Sequence, residues 1–164
     1  MAATYRLGLG RRATNRLVRL LLRLGLMPGP TYLLTVPGRR TGRPMSTPVT
    51  LVEEGDSRWL VAPYGDVGWV RNARTAGRVT LSRGGRAETL PIRELSSAEA
   101  APVLQRYVAR VPISRPYFDA GPNSPTTAFE SEARRHPVFH LGSGLTFRHF
   151  RAEYPGHRQK NVGM

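Results

Sequence analysis

The chain has 164 residues, 40% of them hydrophobic, which suits one domain with a sizeable core. It contains no cysteine, and this rules out disulfide bridges, thiolate zinc sites and a cysteine nucleophile. Formal net charge is +14, from 25 Lys+Arg against 11 Asp+Glu, so the surface favours anionic partners: nucleic acid, anionic lipid or a polyanionic small molecule.

Residues 9–26 predict an amphipathic helix. Arg12, Arg16, Arg19 and Arg23 gather on one face, and Leu17, Leu20, Leu21 and Leu24 on the other. Such a helix packs on the domain or lies on an anionic membrane surface. Its apolar run is too short and too charged to span a bilayer, and no segment reads as a cleavable secretory signal. The expected location is therefore cytoplasmic, with peripheral membrane contact through residues 9–26.

Residues 32–36 predict a strand stopped by Pro37-Gly38, 46–53 a second, and 58–62 a third, with Glu54-Gly55-Asp56 as a hairpin turn. Residues 68–75 have helical spacing. Strands over 78–83 and 86–93 flank Gly84-Gly85, a dipeptide suited to a tight hairpin. A helix over 96–110 opens on Ser96, with Glu99 as its capping-box partner. The proline-rich stretch 112–125 reads as an ordered loop, 126–135 as a short helix, 137–141 as a last strand and Gly142-Ser143-Gly144 as a turn. The predicted organisation is a helix in 1–29, a barrel domain in 30–153 and a flexible tail in 154–164. Strands do not alternate regularly with helices, so the fold class is mostly β with helices (α+β): a small, mainly antiparallel barrel rather than a doubly wound sheet.

Between the first two strands, Val36-Pro37-Gly38-Arg39-Arg40-Thr41-Gly42 sets two guanidinium groups and a hydroxyl on a glycine-rich turn, a natural anion site. Val61-Ala62-Pro63-Tyr64-Gly65 closes a strand, and Gly68-Trp69-Val70-Arg71-Asn72 opens a helix. Together these segments point to a pocket for a flat, anionic cofactor. Other chemistries lack their residues. His136, His140, His149 and His157 have no recognisable acidic partner, so no metal site is expected, and no serine-hydrolase elbow occurs. The arginines are spread through the elements and no nucleic-acid motif appears, so a nucleic-acid partner is not expected.

With the terminal His136-Pro137-Val138-Phe139, these motifs resemble the deazaflavin-dependent nitroreductase family over roughly residues 30–141. The resemblance implies a split β-barrel oxidoreductase that uses coenzyme F-420 (8-hydroxy-5-deazaflavin). It implies that Arg39, Arg40 and Thr41 hold the phosphodiester and acidic tail. Met45, Ser46, Thr47, Pro48, Val49 and Thr50 would run beneath the ring, and Val61, Ala62, Pro63, Tyr64, Gly68, Trp69 and Asn72 would close the pocket. The chain departs from some members at Pro63, where they carry a small polar residue, and at Thr50, where they carry an aromatic one. Hydride transfer belongs to the cofactor, while the protein binds and orients.

The implied reaction delivers hydride to an electron-poor acceptor: a quinone, an activated alkene or a nitro-compound. Tyr117, near Tyr107 and Phe118, is the candidate to donate a proton or hydrogen bond. The alternatives are an FMN enzyme on the same barrel, since the turn accepts either tail, and a module that binds a cofactor, haem or lipid without turnover. A homodimer is a further expectation, because split barrels often pair across a sheet face.

Overall fold

The computed structural model describes residues 20–21, 25–26, 28–143 and 145–148. The helix expected over 9–26 and the tail expected from 154 lie outside the described residues, apart from four positions of the former. Among the described residues seven strands follow in chain order: β1 Thr31–Pro37, β2 Pro44–Glu54, β3 Ser57–Val61, β4 Arg78–Arg83, β5 Arg86–Glu94, β6 Val138–Leu141 and β7 Leu145–Arg148. Helices α1 (Gly68–Ala76), α2 (Ser97–Arg110) and α3 (Thr126–Ala133) and a 3₁₀ turn (Pro112–Tyr117) complete the order. The capping box at Ser96 and Glu99 forms as predicted. The strand β7 was not expected: its four residues follow a glycine-rich turn and are too few to display alternation.

Six strands close a ring in the order β1-β2-β3-β6-β5-β4, with β4 returning to β1, and β7 adds to β5. All pairings are antiparallel. Closure needs two non-local pairings. The β1 strand meets β4 through Leu34↔Leu81, and β5 meets β6 through Ile92↔Leu141. At the β4–β5 hairpin, Gly84 and Gly85 both have positive φ (56° and 75°), as the mirror-image turn of a two-residue loop requires.

Strand alternation sorts two cores. Leu34, Val36, Leu51, Leu60, Leu81, Leu90 and Phe139 fill the ring, and Val70 and Ala73 of α1 close it. Their neighbours Val52, Val61 and Val138 point outward and meet Val103, Leu104 and Val108 of α2 and Phe129 of α3. Each fully buried aliphatic or aromatic side chain contributes about 1.5–3 kcal/mol of transfer free energy. The α2–α3 layer is therefore an integral second core.

Candidate functional site

The ring is incomplete at one point. Pairing of β2 with β3 stops at Leu51↔Leu60, whereas pairing with β1 continues to Pro37↔Pro44. Beyond Val61 the chain turns away: Ala62 N–H donates to the Pro137 carbonyl at 2.9 Å, and Gly65 N–H to Ala62 at 3.2 Å. Among the described residues no strand pairs with 47–50 on that edge, which leaves backbone polar groups facing an opening.

A cavity of 470 Å³ occupies this opening, within the range of about 300–1,000 Å³ usual for small-molecule sites. One wall is β2, with Met45, Ser46, Thr47, Pro48, Val49 and Thr50 all lining it. Opposite stand Val61, Pro63, Tyr64, Gly68 and Trp69. Trp69 also tilts against Phe139 at 6.1 Å, so it belongs to both core and wall. Ala62 is fully buried behind the wall, and neither it nor Asn72 lines the cavity.

The arginine-bearing turn adjoins the cavity through Met45. It is closed by Gly38 N–H to the Arg43 carbonyl (2.8 Å) and Gly42 N–H to Gly38 (2.7 Å), with Gly42 at φ 68°. Arg39, Arg40 and Thr41 are exposed and are not lining residues. Asn72 clamps this turn: its Oδ1 accepts from the Arg39 backbone N–H (3.2 Å) and from Arg39 Nη1 (3.1 Å), and its Nδ2 lies 3.6 Å from Met45 Sδ. One buried amide on α1 thus fixes both the direction of a guanidinium and the thioether at the cavity rim.

Tyr117 stands one layer back from the cavity, edge-on to Tyr64 with ring centroids 4.7 Å apart. The tyrosines that do line it are Tyr64 and Tyr107. Burial, assisted by Tyr64, pushes the Tyr107 hydroxyl well above its ordinary pKa, so it remains a neutral phenol. Thr31, Val67, Val111 and Ile113 also line the cavity and were absent from the expected set. Thr31 was accessible from pairing alone, because it sits opposite Thr50. Val111 and Ile113 carried no signal, since only the tertiary packing of the 3₁₀ turn brings them here. Among the described residues no group of His, Asp and Glu has metal-binding geometry.

A family model described as F-420H(2)-dependent quinone reductase matches residues 11–119 of the sequence. The chain belongs to that family. Coenzyme F-420 is the family's cofactor. No curated protein matches the chain. Among solved structures, a protein of unknown function from Agrobacterium tumefaciens str. C58 is 20% identical with a TM-score of 0.52. That likeness covers 89% of this chain and 60% of the Agrobacterium chain, so this chain spans less than two thirds of that neighbour. A structure described as a domain-swapped dimer is 19% identical over 82% of this chain and 99% of its own, with a TM-score of 0.51. An F-420-H2 dependent reductase (FDR-A) is 24% identical over 68% of this chain and 93% of its own, with a TM-score of 0.49. The first two likenesses support the split β-barrel.

Proposed function

We propose that this family member transfers a hydride from reduced F-420 to a quinone-type acceptor held in the cavity beside β2. The observation that carries the reading is the juxtaposition of an apolar cavity, an open backbone edge on β2 and an exposed arginine turn at its rim. These features fit the coenzyme: a flat ring with a polar edge needs a slot flanked by backbone donors, and its acidic tail needs fixed positive charge. When bound, reduced F-420 supplies the hydride. Residues 45–50 align the ring's polar edge, Trp69 restricts its tilt, Pro63 borders the acceptor, and Arg39, Arg40 and Thr41 bind the phosphodiester and tail. Tyr64 and Tyr107 hold the acceptor oxygen by hydrogen bonding, with Tyr117 steadying Tyr64 from behind. Ala62 and Asn72 act through their neighbours. Activated alkenes and nitro-compounds are acceptors of the same electronic class.

Fluorescence titration with oxidised F-420, followed by turnover of a soluble quinone with the reduced form, tests the reading. Saturable binding and quinone-dependent oxidation are expected. Absence of saturable binding at tens of micromolar coenzyme sinks it, and co-purification of a yellow flavin would favour FMN instead. The proposal extends to a cytoplasmic location and to contact of residues 9–26 with anionic membrane. The arginine spacing there supports it, and co-sedimentation with anionic but not neutral vesicles tests it. Among the described residues, no helix is long and apolar enough to cross a membrane. Pairing of two copies, suggested by the neighbour described as a domain-swapped dimer, is decided by light scattering.

A further inference from the structure

Behind the cavity lies a cluster that the proposed hydride transfer does not use. Glu132 and His136, at the end of α3, are 2% and 4% exposed, unusual burial for a carboxylate and an imidazole. Glu132 Oε1 accepts the backbone N–H groups of Asp119 and Ala120, each at 2.8 Å. Its Oε2 meets Arg135 Nη2 at 3.0 Å and lies 3.3 Å from His136 Nε2. Arg135 also pairs with Asp119. The imidazole stacks on Phe118 with centroids 4.0 Å apart.

On its other side the same cluster receives the chain that leaves β3. Ala62 N–H bonds to the Pro137 carbonyl, and the His136 ring lies beside the backbone of Ala62 and Pro63 with neither ring nitrogen hydrogen-bonded among the described residues. Gly65, at φ +83°, comes so close that a Cβ there would sit 3.2 Å from the Arg135 carbonyl oxygen. Two separate segments therefore dock on one short stretch of chain: the corner at 62–65, and the loop at 118–120 that follows the 3₁₀ turn. Each carries part of the cavity wall, Pro63 and Tyr64 from the corner and Ile113 from the turn. The Tyr64–Tyr117 contact joins them a second time.

We propose that His136 is a positioning residue which, with Glu132, latches the corner and the loop together and so sets the acceptor side of the cavity. The β2 wall, which meets the coenzyme in the reading above, makes none of these contacts. The latch acts on the acceptor through Tyr64 and leaves the arginine turn alone. Glu132 suits this task because its hydrogen bonds to the loop fix direction as well as distance. The His136 ring, whose nitrogens have no hydrogen-bond partner among the described residues, adds the stack on Phe118. The geometric part of the inference needs no catalytic assumption; its kinetic part rests on the proposed function.

The test uses the full chain carrying His136→Ala, with His136→Phe alongside as a variant that keeps the stack on Phe118 and fills the volume. Hydrogen exchange by mass spectrometry is read first, without coenzyme. Faster exchange in 61–67 and 115–121 together, with the β1–β2 hairpin unchanged, is expected in both variants, to a smaller degree in His136→Phe. Unchanged exchange in either segment, or an equal rise throughout the barrel, overturns the latch; if His136→Ala does not fold, His136→Phe alone decides. For the kinetic part, the quinone KM should rise about 5–10-fold while the F-420 Kd stays within about 2-fold, as expected when a positioning contact remote from the coenzyme is lost. Equal losses in both, or none, overturn the kinetic part. If the wild type neither binds F-420 nor turns over quinone, the proposed function falls while the exchange result still judges the latch.

Discussion

The two walls of the cavity are held by different physics. The β2 wall rests on a backbone ladder that runs in register from Thr31↔Thr50 to Pro37↔Pro44, and most side chains there can change without unmaking it. The opposite wall is a corner and a loop, and loops have no ladder of their own. Its order comes from a few buried side chains: Glu132 satisfies two backbone N–H groups that a strand would otherwise satisfy, and His136 stacks on Phe118. The first wall suits a constant ligand, and the second can diverge by changing a handful of residues. One barrel can thus keep a coenzyme while altering its acceptor.

Breaking the wall of corner and loop should cost most. Glu132→Ala leaves the Asp119 and Ala120 N–H groups without their acceptor, while Arg135 keeps Asp119, an expected loss of about 2–5 kcal/mol in urea unfolding. Gly65→Ala forces a side chain into positive φ beside the Arg135 carbonyl, with an expected cost of about 1–3 kcal/mol by the same measurement. The arginine turn should separate binding from stability. In Arg39→Gln/Arg40→Gln the F-420 Kd should rise about 10–100-fold, from about 1.5–3 kcal/mol of lost charge-assisted contact, with little change in unfolding. On the ladder side, Thr47→Ala should shift stability by no more than about 0.5 kcal/mol; a larger change would erase the contrast between the walls.

Acidity sharpens the same contrast. Burial lowers the His136 pKa from its ordinary 6.5, opposed by Glu132 and reinforced by Arg135, and Asp119 reaches the site through Arg135. A base whose folded pKa is depressed takes up its proton more readily when unfolded. Its contribution to stability is therefore complete above about pH 6.5 and declines as pH falls through that value towards the folded pKa. The melting temperature should drop over this window in the wild type and less in His136→Phe. A flat wild-type profile would remove His136 as the cause.

Much of the barrel was legible in the sequence because alternation and glycine punctuation are local. The strand at Arg78–Arg83 was predicted with its observed bounds, and the helix from Ser96 was betrayed by its capping box. Ring closure was not legible, since Leu34↔Leu81 joins residues whose partnership no local pattern records. The site divided along the same line. Residues 45–50 lie on one strand and could be read as a unit, whereas Tyr107, Val111 and Ile113 are gathered only by packing. The expectation that His136 has no acidic partner is corrected, because Glu132, four residues earlier, lies 3.3 Å from its ring; Phe118, which stacks on it, is far away in sequence.

Ile113 stands at the cavity mouth with 77% of its surface in water. In a chain without a native thiol, Ile113→Cys would place the sole attachment point for a dye at that doorway. Quenching of such a label would time the arrival and departure of each ligand separately from the redox chemistry.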